Sequence, residues 1–305
     1  MTHVVVTGGA CFIGSHLVDA YLARGWRVSV IDDLSTGDRR NLNPKAEFHE
    51  ADLLAAGALI ERLRPDVISH HAAQVDVRKS VEDPARDAEL NIVASLRLLQ
   101  KAAETGVKRV IFASSGGAIY GEPAFAPQTE AHPLRPMSPY GCAKLSVEQY
   151  MSYYREVLGL STVALRYANV YGPRQGAKGE AGVVAIFARL LLAGRELTIN
   201  GTGEQTRDFV YVGDVVRANL AVTDDASLSG ALNVGTGVET SVNDLYREMA
   251  ALIPRGSSMR RAPAKVGEQM RSVLDGARFG PYRSLPDGLR ETVDWFMKEL
   301  VARSS

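Results

Sequence analysis

Tyr140 and Lys144 stand four residues apart, directly behind Ser138-Pro139. On a helix this spacing puts both side chains on one face, one turn from each other. A tyrosine of ordinary pKa, about 10, is a poor base at neutral pH; an ammonium held beside it favours the phenolate and lowers that value. Such a pair can take a proton from a hydroxyl and return it. Pro139 suits the first helical position, since its ring presets φ and its missing N–H is not needed there. Taken alone, Tyr-x-x-x-Lys is a spacing that any amphipathic helix can supply. A second group lies upstream, where Ser114-Ser115-Gly116-Gly117 follows the apolar run Val110-Ile111-Phe112-Ala113. A hydroxyl at a strand end can hydrogen-bond a substrate oxygen and share its proton, although a loop of this composition is by itself usually a turn.

The elements that must position these groups begin at the first residues. His3-Val4-Val5-Val6-Thr7 is a β-branched run of the kind found in buried parallel strands. It ends at Gly8-Gly9-Ala10-Cys11-Phe12-Ile13-Gly14, which turns into an apolar-periodic helix expected over Ser15 to Arg24. A second strand, Arg27 to Ile31, ends at Asp32. Strand, glycine turn, helix and strand, with an acid about 20 residues beyond the glycines, is the dinucleotide-binding arrangement. The helix N-terminus offers N–H groups and a positive dipole end to a pyrophosphate. Asp32 can accept hydrogen bonds from ribose hydroxyls, which favours NAD over its 2′-phosphorylated form. Further strands are expected at Glu47 to Asp52, Asp66 to His70, Arg109 to Ala113 and Ser161 to Arg166. Helices are expected at Ala56 to Leu63, Ala85 to Thr105 and Pro139 to Leu158. The alternation implies an α/β, doubly wound (Rossmann) fold with a mostly parallel sheet covered on both faces. Ligands in such sheets bind beyond the carboxyl ends of the strands, so Asp32, Asp52, Ala72 to Gln74, Ser114 to Gly117 and Tyr167 to Asn169 are candidates.

Composition narrows the partners. The 305 residues are 46% hydrophobic and 23% charged, and 35 basic side chains balance 35 acidic ones. Nothing in that balance points to nucleic acid or an acidic membrane surface. No apolar run approaches the roughly 20 residues that span a bilayer, and a first strand at His3 leaves no room for a signal peptide. Two cysteines, Cys11 and Cys142, are too few for a disulfide framework and lack metal-ligand spacing. The expectation is a cytoplasmic protein in a reducing compartment, with no metal.

The motifs taken in order carry a resemblance. Thr7-Gly8-Gly9-Ala10, Phe12-Ile13-Gly14-Ser15-His16, Asp32, His71-Ala72-Ala73-Gln74, Ser114-Ser115 and Tyr140-x-x-x-Lys144 resemble the extended short-chain dehydrogenase/reductases. So do Arg166-Tyr167-Ala168-Asn169-Val170-Tyr171-Gly172-Pro173-Arg174 and the run Arg207-Asp208-Phe209-Val210-Tyr211-Val212-Gly213-Asp214-Val215. Within that superfamily the whole chain is most similar to the UDP-glucose 4-epimerases and their nucleotide-sugar epimerase relatives. The resemblance implies NAD-dependent 4-epimerisation of a UDP-hexose through a transient 4-keto sugar. Tyr140 would take the proton from the 4-hydroxyl, Lys144 would hold the nicotinamide ribose, and Ser115, or its neighbour Ser114, would bind the same sugar oxygen. Cofactor contacts implied are Gly8, Cys11, Phe12, Ile13, Gly14, Asp32, Asp33, Asp52, Ala72, Ala73, Gln74, Asn91, Tyr140, Lys144 and Tyr167. Substrate contacts implied are Asn169, Val184, Asn200, Arg207, Lys265 and Ser272. By the same analogy the helices Ala85–Thr105 and Pro139–Leu158 pair across a homodimer.

Two positions depart from the family pattern. Cys11 stands where a middle glycine normally lets backbone approach the pyrophosphate, so its side chain is expected to crowd the cofactor, and an accessible thiol at a helix N-terminus would have a lowered pKa. Lys265-Val266-Gly267-Glu268 replaces the usual Arg-Pro-Gly-Asp, keeping the charge but losing the planar fork. Ser272 resembles the gate of the sugar pocket, and a small residue there implies room for UDP-GlcNAc beside UDP-glucose. The expected division is a cofactor domain of residues 1–172 plus about 207–230, and a smaller C-terminal sugar lobe of about 173–206 and 231–305. Two other readings compete: a sugar-nucleotide dehydratase, decarboxylase or reductase on the same fold, and a non-catalytic nucleotide-binding scaffold. Gly116, Gly117 and Ala118 offer no carboxylate to remove water or steer loss of CO₂, and an intact Ser115, Tyr140 and Lys144 weigh against a scaffold.

Overall fold

The computed structural model describes residues 1–176, 182–253, 258–264 and 269–304. The strands are β1 (His3–Thr7), β2 (Arg27–Asp32), β3 (Glu47–Glu50), β4 (Val67–His70), β5 (Arg109–Ser115) and β6 (Ser161–Tyr167). They continue as β7 (Asn169–Tyr171), β8 (Leu197–Asn200), β9 (Thr206–Tyr211), β10 (Gly230–Val234), β11 (Glu239–Ser241), β12 (Met259–Ala262) and β13 (Arg271–Ser272). The helices of the first half are α1 (Phe12–Ala23), α2 (Ala56–Leu63), α3 (Val77–Glu82), α4 (Pro84–Ala88), α5 (Ala94–Thr105), α6 (Gly116–Ile119) and α7 (Pro139–Leu158). Those of the second half are α8 (Val183–Leu192), α9 (Val212–Asp224), α10 (Val242–Leu252) and α11 (Leu285–Ser304).

A seven-stranded sheet runs in the order β10-β6-β5-β4-β1-β2-β3, with every pairing parallel. The chain starts at the centre, winds outward through β2 and β3, and returns to β4. The site candidates therefore fall where the winding reverses, at the carboxyl ends of β1 and β4. One face of the sheet buries Val4, Val6, Leu17, Tyr21 and Val215 under α1 and α9. The other buries Val5, Ile68, Leu98, Phe112 and Val147 under α2, α5 and α7. A third cluster, including Phe187, Leu245 and Phe296, is the core of the smaller lobe.

Local signals account for the helices that matter. The Ser138 side chain accepts a hydrogen bond from the Gly141 N–H at 3.1 Å, Pro139 follows it, and Gly159 closes α7 in the left-handed region. That is a helix with both ends specified. The expected helix at Ala85 to Thr105 is instead α4, a π-helical turn Glu89–Val93 and α5 in succession. β3 ends at Glu50, earlier than expected, and Asp52 caps the following turn by accepting from the Leu54 N–H at 2.7 Å.

Two strands cross the expected domain division. β9 does not return to the large sheet; it pairs with β7, β11 and β13 in a small sheet. β10, expected in the second lobe, is the edge strand of the large sheet, paired along β6 from Gly230–Val163 to Val234–Tyr167. The helix α9 packs on the sheet face over β5 and β6 and delivers the chain to that free edge of β6.

Candidate active site

Two glycines shape the first turn. Gly8 has φ +71°, and a Cβ there would lie 2.7 Å from the Ala72 N. A Cβ on Gly14 would overlap the Gly8 carbonyl oxygen. Between them Cys11 has φ −80°, which any residue adopts, and it caps α1 without a side-chain hydrogen bond. Thr7 completes the floor, its Oγ1 accepting from the His71 and Ala72 N–H groups at 3.1 Å each. Beyond this turn a cleft of about 540 Å³ is lined by Gly8, Cys11, Asp32, Asp33, Asp52, Ala72, Ala73 and Gln74, together with Asp76 and Asp87. Eight of the expected cofactor residues thus share one wall, with Phe12, Ile13 and Gly14 in the helix turn beside them.

Asp32 is buried at the end of β2. Its carboxylate accepts from the Ala10 and Leu34 N–H groups, each at 2.9 Å. Burial raises its pKa, with those N–H groups opposing the shift. The Cys11 Sγ lies 3.6 Å from Asp32 Oδ2 and 3.6 Å from Thr36 Oγ1. Burial, reinforced by the Asp32 charge, pushes the thiol up to about 12. The lowered thiol pKa expected for an accessible thiol at the helix N-terminus is therefore corrected: loss of solvent, then the neighbouring Asp32 carboxylate, raise it instead.

Asn91 sits in the π-helical turn and clasps the end of β4. Its Oδ1 accepts from the Gln74 N–H at 3.0 Å, and its Nδ2 donates to the Gln74 carbonyl and to Asp87 Oδ1, both at 2.9 Å. Asp87 is buried, and its Oδ2 has no hydrogen-bond partner among the described residues. Sequence reasoning missed Asp87; its spacing of four from Asn91 on a helix is the signal that could have found it.

The residues expected to handle the proton lie at the carboxyl end of β5 and the first turns of α7. Lys144 is 4% exposed, with its Nζ donating to the Ala113 carbonyl at 2.8 Å and lying 5.6 Å from the centre of the Tyr140 ring. Among the described residues this is its one hydrogen bond, so two of the three ammonium donors are open. Burial pulls the ammonium down to about 8, against the charges of Asp87 and Glu148. Ser114 and Ser115 occupy opposite environments. The Ser114 hydroxyl is buried and donates to Glu148 Oε1 at 2.6 Å. Ser115 is half-buried, at the turn from β5 into α6, and its hydroxyl makes no hydrogen bond among the described residues. Tyr167 pairs beside Ser115 in the sheet, but its hydroxyl is engaged by Asn219 and His71.

The expected substrate residues gather partly. Arg207 on β9 lies opposite Ser272 on β13, and Asn169 on β7 opposite Phe209 on β9. Ser272 is 1% exposed, and its Oγ lies 3.8 Å from where a Cβ on Gly117 would stand. Arg207 donates to the Thr206 carbonyl at 2.8 Å. Asn200 ends β8, and Val184 is buried in the core of the smaller lobe. Lys265 lies outside the described residues, as do Val266, Gly267 and Glu268.

A dinucleotide fits these residues: a glycine cradle that a Cβ would fill, a helix N-terminus without a side-chain cap, a buried ribose-height acid and open donors on Lys144. Known proteins agree. A UDP-glucose 4-epimerase of Mycolicibacterium smegmatis is 43% identical over 305 residues, covering 96% of this chain and 97% of the relative. The crystal structure of a Thermotoga maritima UDP-glucose 4-epimerase with UDP-glucose superposes with TM-score 0.94 at 44% identity, covering 98% of this chain and 100% of that one. A Thermus thermophilus UDP-glucose 4-epimerase in complex with NAD gives 0.92 at 42% identity, over 97% and 99% of the two chains. Residues 4–235 match the NAD dependent epimerase/dehydratase family, and it is to this family that the chain belongs.

Proposed function

We propose that this protein interconverts the 4-epimers of a UDP-hexose, UDP-glucose and UDP-galactose first, working with NAD. What supports the reading is that the Lys144 Nζ, 5.6 Å from the centre of the Tyr140 ring, donates to the Ala113 carbonyl two residues before Ser115 at the end of β5. Gly8 to Gly14 would hold the pyrophosphate and Asp32 the adenosine ribose. Bound NAD would supply an acceptor and donor of hydride at C4 of the sugar.

The chain's own residues handle the proton. As phenolate, Tyr140 takes it from the 4-hydroxyl, becoming the phenol, and returns it after the sugar has turned over. Lys144, buried and cationic at neutral pH, stabilises the phenolate and directs its open donors to the nicotinamide ribose. Ser115 hydrogen-bonds the reacting oxygen; Ser114, already donating to Glu148, does not. Dehydration needs an acid beside this serine, and the next residues are glycines. A Cβ on Gly116 would meet Leu274 Cδ1 at 2.5 Å, so the loop has no room for a larger residue without movement of the second lobe.

Asn169, Arg207 and Ser272 would face the nucleotide sugar, with Lys265 supplying charge to the diphosphate. The small Ser272 leaves space for an N-acetyl group, so UDP-GlcNAc is accepted as well. The large sheet with α9 would be the cofactor domain and the small sheet with α8, α10 and α11 the sugar lobe. The protein would act as a cytoplasmic homodimer. Purified protein, without added cofactor, is incubated separately with UDP-glucose and UDP-GlcNAc and followed by proton NMR. Galacto-configured anomeric signals from both support the reading. Signals from glucose alone remove the role of Ser272, and none from either, with NAD added, removes the epimerase.

A further inference from the structure

Behind the site lies a buried polar chain that the proton chemistry does not use. It starts at Ser114, whose hydroxyl donates to Glu148 Oε1 at 2.6 Å. Glu148 is one turn beyond Lys144 on α7. Arg166 on β6 grips the same carboxylate, with Nε 3.1 Å from Oε1 and Nη2 2.6 Å from Oε2. The Arg166 Nη1 donates to the Tyr120 hydroxyl at 2.8 Å, and that hydroxyl donates onward to Asn233 Oδ1 at 2.8 Å. Asn233 Nδ2 donates to the Gln128 carbonyl at 2.9 Å. Gln128 is stitched to the second lobe: its N–H donates to the Val273 carbonyl at 2.8 Å, and its carbonyl accepts from the Asp275 N–H at 2.9 Å.

Every side chain from Ser114 to Asn233 is 7% exposed or less. At Tyr120 donors and acceptors match in direction, so its hydroxyl accepts once and donates once. Buried polar groups hold together in this way because an unpaired member is costly, and the cost makes each position specify the next. One end is the backbone neighbour of Ser115. The other end is the segment that carries Ser272 and Leu274, and Leu274 already packs on Gly116. The catalytic loop is therefore tied to the sugar lobe twice, through a side-chain contact outside and a hydrogen-bonded chain inside.

We infer that Ser114, Glu148, Arg166, Tyr120 and Asn233 form a positioning relay that sets Ser115 against Lys144 and ties that alignment to residues 271–275. The inference rests on the epimerase reading for its kinetic consequence, and on the geometry alone for its structural one. Tyr120 is the joint, since removing its hydroxyl breaks the chain in the middle without touching either end.

The test uses the full-length protein and two variants, Tyr120→Phe and the milder Ser114→Ala, which leaves the Glu148–Arg166 pair whole. Hydrogen exchange read by mass spectrometry needs no turnover. In Tyr120→Phe, amides of both 114–119 and 271–276 should exchange faster by about tenfold, as for roughly 1.4 kcal/mol of lost local protection. The sheet strands β1 and β2 should be unchanged. In wild-type enzyme that epimerises, both variants should lose kcat by about tenfold or more while KM for the nucleotide sugar stays within about twofold. Faster exchange confined to residues 116–121, or spread evenly over the chain as the melting temperature falls, overturns the relay. Folded variants with wild-type kcat overturn it too. If wild-type protein shows no epimerisation, the earlier reading fails alone, and the exchange pattern still decides this one.

Discussion

Ser114 and Ser115 are chemically identical neighbours, and what separates them is the alternation of a strand. One side chain of β5 points into the core and finds Glu148; the next is half-buried on the opposite face, its hydroxyl making no hydrogen bond among the described residues. The sequence leaves both as candidates because the partner, Glu148, is distant in the chain and visible only once α7 lies on β5. Tyr140→Phe removes the proton-carrying oxygen and little else. Turnover in the NMR assay should fall by roughly 10²–10⁴-fold, with NAD affinity and circular dichroism unchanged; activity within a few-fold of wild type would sink the proposed chemistry. Lys144 sets the alkaline limit. Burial holds it down to about 8, so it is cationic below that pH and neutral above, where it no longer stabilises a phenolate. The kcat profile should decline above about pH 8, and Lys144→Arg, whose charge persists, should move that limb out of range. A profile flat to pH 10 would show that Lys144 does not titrate there. The two cysteines should separate in the opposite sense from the sequence expectation. Cys142 is exposed, while Cys11 is pushed up to about 12 beside Asp32. A thiol reagent at pH 7 should label exposed Cys142 quickly and half-buried Cys11 more slowly; equal rates at both would contradict a raised Cys11 pKa.

At the scale of elements, what was legible follows from where the specifying interaction lies. The helix Pro139–Leu158 was read to the residue, because Ser138, Pro139 and Gly159 mark its ends locally. The turn at Gly8–Gly14 is equally legible from its glycines, although only Gly14 answers to nearby backbone, the Gly8 carbonyl, while Gly8 answers to Ala72 on a distant strand end. The π-helical turn is not legible. It exists where Asn91 clasps Gln74 and Asp87 together, and those partners meet only after β4 and the helix have docked. The sheets that β9 and β10 join are not legible for a related reason: short apolar strands state that they are buried, not which neighbour they pair with. The end of β4 carries its own prediction. His70 bridges Thr7 and Ser95 at 2.7 and 2.9 Å, and burial drives both His70 and His71 down to about 3. The unfolded chain protonates them near 6.5, so it binds more protons than the folded one between the two values. Stability is then complete above about pH 6.5 and falls as the pH drops toward 3, by up to about 1.4 kcal/mol per pH unit for each histidine. Urea midpoints should fall between pH 7 and pH 5, less steeply in His71→Gln. Midpoints that hold constant over that interval would mean that neither histidine is kept neutral by the fold.

For the whole molecule the open matter is what covers α7. Its inner face lies on β5 and β6, burying Ala143, Val147 and Met151. Its outer face leaves Tyr150, Tyr153 and Val157 exposed at 45%, 49% and 65%. Scattered surface hydrophobics are normal, but three at positions 150, 153 and 157 of one helix form a single stripe, as the spacings of three and four require. A stripe on a helix is the form of surface that a second, antiparallel copy covers, each helix packing on its twin about a two-fold axis. The proposed homodimer uses this face, and it bears on the chemistry because Tyr140 and Lys144 ride on the same helix. Sedimentation of the wild-type protein should give twice the chain mass of 32.9 kDa. Val157→Glu places a charge in the proposed seam and should shift the population toward single chains while leaving the fold intact. Because α7 would lose its outer support, kcat should drop a few-fold. A wild-type protein that sediments as one chain at micromolar concentration would overturn the assembly. A dimer indifferent to Val157→Glu would move the interface to another face. In neither case would the site lose a residue, since every group assigned to it comes from one chain.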